Sequence, residues 1–139
     1  MHLPRRTGRR GGAAVEFALI APVLFAMLSG IVEWGWYLFN LQLVLNAVAD
    51  GTRAGARIPM SASPSPATVA HDRAAALLQS LGVVSSASTA SAAVTVITST
   101  GATPEVFVSV SLPYTPLIGL IPTPATYSAQ STMRLEDPN

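Results

Sequence analysis

Residues 13–32 read AAVEFALIAPVLFAMLSGIV, twenty positions with a single charged side chain, Glu16. At 1.5 Å per helical residue this run covers about 30 Å, the hydrocarbon thickness of a bilayer. A buried core helix of this kind needs apolar cover on every side. A chain of 139 residues with little other hydrophobic bulk does not supply it, so the run reads as a membrane helix. Just before it stand Arg5, Arg6, Arg9 and Arg10, and no basic residue follows until Arg53. Those four arginines are a topology signal: the positive-inside rule keeps the N-terminus in the cytoplasm and puts the body across the membrane. A cleaved secretory signal has a shorter apolar core, about 7 to 15 residues, closed by a small-x-small site. Here the one tempting site, Ala47-Val48-Ala49, lies fifteen residues beyond the run.

The bulk composition agrees. Half of the residues are apolar and 11% are charged, against about 25% in an ordinary soluble domain. Beyond the basic tail, four arginines face seven acids, so a basic cap precedes a mildly acidic body. There is no cysteine, which excludes disulfides, thiolate metal sites and cysteine nucleophiles.

Beyond the run, VEWGWYLFNLQLVLNAVADGTRAGAR (32–57) contains no proline, and Trp34, Leu38, Leu41 and Leu45 fall at helical spacing. Trp34, Trp36 and Tyr37 stand where the helix leaves the bilayer, a level that amphipathic rings favour. One helix is expected over 12–57, with 13–32 in lipid. Asn46, Asp50, Arg53 and Arg57 give its outer half a polar side, with Asp50 and Arg53 spaced to support the helix. Ala47, Gly51 and Gly55 form a small-residue stripe that permits close approach of another element, a candidate surface for packing between subunits.

The body, 58–139, opens with a Pro/Ser-rich linker at 58–67. Ser65-Pro66 reads as an N-cap and first helical position. ATVAHDRAAALLQSLG (67–82) reads as a short helix with Val69, Leu77 and Leu81 inward and Gly82 as its stop. Three strands follow, in 92–100, 105–112 and 126–136. In the second, Val106, Val108 and Val110 alternate with Phe107, Ser109 and Ser111. PYTPLIGLIPTPAT (113–126) is a proline-rich apolar loop. The fold class is α+β: a long N-terminal transmembrane helix entering a small body with a short helix and an antiparallel sheet of about three strands.

The catalytic inventory is thin. His71, beside Asp72 and Arg73, has no second histidine at metal-ligand spacing, and no serine sits in a nucleophile elbow. No phosphate loop is present. The reading is a non-enzyme without metal or cofactor, acting on no small-molecule substrate and no nucleic acid. Glu16 is the outlier. A carboxylate in the bilayer costs roughly 2.5–3.5 kcal/mol on insertion scales, reduced here because it lies one turn inside and its side chain can snorkel. It is either an interfacial glutamate without a role or the partner of a cation in the membrane. Cleavage just upstream would create such a cation, a new α-amino group charged at neutral pH.

GGAAVEFALIAP (11–22) resembles the class III signal region of type IV pilin-like proteins. There a prepilin peptidase cuts after a glycine, and a glutamate stands fifth in the mature chain, followed by an aromatic. Counting back from Glu16, the resemblance implies a cut between Gly11 and Gly12, with Phe17 as the aromatic and residues 1–11 as the leader. Residues 9–57 as a whole resemble the TadE-like pseudopilins of the tight-adherence (Tad, or Flp) pilus, through VEFAL, Pro22, the Glu33 segment and the ADGTRAGAR end. Residues 108–120 and 128–136 resemble that family's C-terminal part. The resemblance implies a minor pilin in the inner membrane that takes part in pilus assembly or initiation, and so in adhesion and biofilm formation. Its implied partners are the prepilin peptidase, other pilins and pseudopilins, the inner-membrane assembly platform and lipid, and it places the protein in the surface pilus as a further destination. It also implies that Glu16 pairs with the Gly12 amine of a neighbouring subunit. The body is larger than that of simple Flp pilins. The alternative is an uncleaved, membrane-anchored periplasmic binding or scaffold protein that grips its partner through the body and the PYTPLIGLIP loop.

Overall fold

A 47-residue helix dominates the fold. The structure, a computed structural model, describes residues 10–100 and 103–136. Most of the basic leader, Arg5, Arg6 and Arg9 included, therefore lies outside the described residues. The long helix α1 spans Arg10–Ala56, about 70 Å at 1.5 Å per residue. It passes through Pro22 without a break; hydrogen-bond loss at such a proline is tolerated in membrane helices, where neighbouring groups compensate.

The two halves of α1 differ completely in environment. No residue from Gly11 to Val32 is buried, and eleven large apolar side chains between Val15 and Val32 are exposed. At about 1.5–3 kcal/mol per apolar side chain, holding them in water forfeits on the order of 20 kcal/mol. A helix apolar all round needs an apolar medium, and this one is long and apolar enough to cross a membrane. From Glu33 onward one face is buried: Glu33, Tyr37, Asn40, Val44, Ala47, Val48, Gly51, Thr52 and Gly55. These recur at three- and four-residue steps and form the wall of the body's core. Trp34, Leu38 and Leu45 face away from it.

Helix α2, Pro66–Ser80, packs across that wall. The Ser65 side chain accepts from the Thr68 N–H, with Pro66 at the first turn. At the other end Gly82 takes φ +72°, its N–H reaching the Gln79 carbonyl and that of Val83 reaching Leu78, the pairing of a Schellman stop. The inward face is Pro66, Ala70, Ala74 and Leu78, rather than the expected Val69, Leu77 and Leu81. Val69 and Leu77 are half-buried and Leu81 is exposed. The reason lies on α1: a Cβ on Gly51 would stand 2.8 Å from the Ala70 carbonyl oxygen and 2.8 Å from the Ala74 Cβ, and one on Gly55 would stand 2.7 Å from the Ala70 Cβ. Backbones this close admit only alanine on the facing helix. The stripe Ala47, Gly51, Gly55 is thus filled by α2 of the same chain, which corrects its reading as a surface between subunits. Asp50 likewise pairs with Arg73 of α2, at 2.7 Å, instead of with Arg53.

A short helix α3, Ala87–Ala93, capped by Ser86, takes up Ala92 and Ala93, which the sequence pattern assigns to a strand. Strands β1 (Val94–Ser99), β2 (Glu105–Pro113) and β3 (Thr126–Arg134) form an antiparallel sheet in the order β1-β2-β3. Register pairs Val94 with Val110 and Val110 with Ala129. The alternation along β2 holds: Val106, Val108, Val110 and Leu112 are buried, and this face closes the core against α1 and α2. At the end of the sheet, the Glu136 N–H bonds the Ala56 carbonyl at 2.9 Å, tying the C-terminal segment to the last turn of α1.

Candidate functional site

Two carboxylates on α1 mark the ends of the membrane-length run, and their surroundings are opposite. Glu16 is exposed in the second turn, one turn past Gly12, and Phe17 beside it is exposed. Gly11 and Gly12 have open space around them. Arg10 opens the helix. Helical side chains lean towards the N-terminus, so the Glu16 carboxylate is carried towards Gly12. Glycines at the start of a helix also hold it weakly.

Glu33, the first residue past the 13–32 span, is fully buried. Its carboxylate is enclosed by the loop between β2 and β3. Oε1 accepts from the Tyr114 hydroxyl and, at 2.9 Å, from the Leu117 N–H; Oε2 accepts from the N–H groups of Ile118 at 2.7 Å and Gly119 at 3.1 Å. Three successive backbone amides converge on one anion, a turn of the kind that forms anion-binding concavities. Gly119 makes it possible with φ +73°, a left-handed conformation that residues with a Cβ seldom adopt. The loop is closed at its base by Tyr114 N–H to Ala125 carbonyl, 2.9 Å.

The chain's three tyrosines, Tyr37, Tyr114 and Tyr127, pack around this clip with every ring-centroid distance at 5.2 Å. Trp34 meets Tyr37 edge-on at 5.8 Å. Tyr37 also donates to the Thr126 carbonyl at 3.4 Å. The hydrogen bond from Tyr114 holds the Glu33 carboxyl well below its usual range, at about 2, with the amides of Ile118, Leu117 and Gly119 adding to it against the opposing effect of burial. Burial, and then the Glu33 carboxylate, push the Tyr114 hydroxyl up to about 12. Burial raises Tyr127 as well, with Tyr37 and Glu33 adding to it. In the sequence, Glu33 stands out only as a second carboxylate at the edge of an apolar run. The signal for its partner was a glycine inside PLIG, in a loop otherwise short of backbone donors.

His71 sits in a shallow, open depression with Asp72, Gln79 and Ser91. Its Nδ1 lies 3.1 Å from Asp72 Oδ1, and its Nε2 lies 3.2 Å from the Ser91 carbonyl oxygen and 3.3 Å from Ser91 Oγ. The Ser91 carbonyl and the Asp72 carboxylate can only accept, so both ring nitrogens are turned towards acceptors. A nitrogen so engaged cannot take a proton from the Ser91 hydroxyl. The contact joins α2 to α3. No group of three metal-ligating side chains occurs among the described residues.

The model of the family described as TadE-like protein matches residues 11–53. That segment begins at the glycine pair and covers nearly all of α1, including Glu16, Glu33 and most of the face that packs on the body. No curated protein and no solved structure matches the chain.

Proposed function

From a TadE-like N-terminal segment, which associates the chain with Tad pilus systems, we propose that this protein is a minor pseudopilin. It is inserted by α1 and cut between Gly11 and Gly12 by a prepilin peptidase, and it takes part in assembly or initiation of a Tad pilus that serves adhesion. The observation that carries the reading is the bare apolar half of α1, with the glycine pair at its start and Glu16 one turn inside. A helix that leaves one membrane environment for a fibre must have an apolar surface that no part of its own chain covers. The new Gly12 amine and the Glu16 carboxylate of an adjacent copy then supply opposite charges at the same depth, where low dielectric strengthens their attraction. Other pilins, the assembly platform of the inner membrane and lipid are its partners. Arg5, Arg6, Arg9 and Arg10 hold the cut site on the cytoplasmic face and, with Gly11, leave with the leader.

Mass spectrometry of the mature N-terminus, from native membranes with and without the peptidase, tests this reading. A chain beginning at Gly12 only when the peptidase is present supports it. An intact N-terminus in both membranes refutes the cut and favours an anchored scaffold. Replacing Gly11 by a bulky residue should block the cut while membrane insertion persists.

A further inference from the structure

We propose that the loop between β2 and β3 dips its apolar tip, Leu117, Ile118 and Leu120, into the bilayer leaflet on the side of the body, so that helix and loop grip the membrane together. The proposal rests on reading 13–32 as a membrane span.

Position comes first. The loop is fastened to Glu33, one residue past the span, and Ile121 extends to Gly30, where a Cβ on that glycine would lie 3.5 Å from the Ile121 side chain. Gly30 is inside the span. The loop therefore runs alongside the helix at the depth where it leaves the hydrocarbon.

Exposure comes second. Leu117 is 60% exposed, Ile118 43% and Leu120 71%. Residues 113–126 contain no charged side chain, so nothing in the loop resists transfer to lipid. At the same level Trp34 and Trp36 are exposed on the helix, where indole rings favour the interface.

The backbone supplies the third reason. Irregular chain at membrane depth is tolerated only when its polar groups are satisfied within the protein. Here four of the loop's N–H groups are satisfied within the protein: those of Leu117, Ile118 and Gly119 end on Glu33 and that of Tyr114 on the Ala125 carbonyl, while that of Leu120 has no partner among the described residues. Pro116, Pro122 and Pro124 have no N–H at all.

The chain contains no cysteine, which permits single-site labelling of the full-length protein in proteoliposomes. An environment-sensitive fluorophore is attached to Leu120→Cys in the loop, Val23→Cys in the span or Thr95→Cys on the exposed face of β1. The bilayer carries a nitroxide quencher on its acyl chains. The expected result is blue-shifted, quenched emission at 23 and 120 and water-like emission at 95. Quenching at 23 with water-like emission at 120 overturns the loop proposal and leaves the span intact. Absence of quenching at 23 removes the span reading and the proposal with it. Quenching at all three positions signals unspecific adhesion of the body and also overturns it. Disulfide-linked pairs through Leu120→Cys without quenching make the loop a contact between copies, which overturns insertion into lipid.

Discussion

The Glu33 carboxylate accepts a hydrogen bond from the Tyr114 hydroxyl, 81 residues further along the chain. That one contact fastens the β2–β3 loop to the point where α1 leaves the span, and three backbone amides share the same two oxygens. Glu33→Gln is therefore expected to destabilise the body in detergent nearly as much as Glu33→Ala. An amide keeps one accepting oxygen and turns two donors towards amides that also donate. Thermal unfolding followed by near-ultraviolet circular dichroism of the tyrosine cluster measures it. A Glu33→Gln protein as stable as the parent would show that the clip is dispensable.

The clip should also have a pH window. Glu33 is lowered in the folded state, from 4.5 to about 2. Its stabilisation is complete above 4.5, declines as pH falls from there, and is gone below about 2. Tyr114 is raised, from 10.0 to about 12, so its contribution is complete below 10 and lost as pH climbs through 12. Near-ultraviolet dichroism should stay flat between 4.5 and 10 and decay on both sides. In Tyr114→Phe the alkaline decay assigned to this hydroxyl should disappear. Its persistence would assign that limb to another group.

Patterning made the large features legible, and contact chemistry hid the rest. The span, the Pro/Ser-rich break after Arg57, the Ser65 cap, the Gly82 stop and the alternation along β2 each follow from local residue order, which is what periodicity reports. The inward face of α2 does not. Leu77 and Val69 are more hydrophobic than Ala70 and Ala74, yet the alanines face inward because Gly51 and Gly55 set the distance between helices. Helix α3 hides in SSASTASAA, where a Ser86 cap is the sole strong local signal. Glu33 was visible as a residue and silent as a clip, since its partners lie far off along the chain and three of them are backbone amides.

The close crossing of α1 and α2 gives a sharper test. Gly51→Ala should lose about 1–3 kcal/mol of stability, the usual range for overpacking, because its Cβ would meet the Ala70 carbonyl and the Ala74 Cβ at 2.8 Å. Ala74→Gly in the same chain should restore only part of the loss, since the carbonyl clash remains. Denaturant unfolding of the four proteins in this cycle reads the coupling directly. Simple additivity of the two changes would mean that the helices do not approach as described.

Leu78 is the largest fully buried apolar side chain of α2, between α1 and the sheet. Leu78→Ala should cost about 2–5 kcal/mol, the span observed when a core leucine is truncated. Leu77→Ala, one position away and half-buried, should cost clearly less. Reversal of that order in denaturant midpoints would return the inward face to the pattern expected from hydrophobicity alone.

Glu16 and Glu33 are expected to separate assembly from folding. Glu16 is exposed and outside the body's core, so Glu16→Ala should fold, insert and be cut at Gly12 at the parental rate. Without the carboxylate, the amine of a neighbouring chain enters the membrane with no opposite charge to meet it. An unpaired charge in low dielectric is strongly disfavoured. Pilus assembly should then drop steeply while the amount of mature protein in membranes stays level. Glu16→Asp keeps the charge on a shorter side chain and should recover part of the assembly. Immunoblots of membranes and of sheared surface material, taken side by side, distinguish these outcomes. Abundant surface pili from Glu16→Ala cells would reduce Glu16 to an interfacial residue and remove the charge pairing from the proposed role.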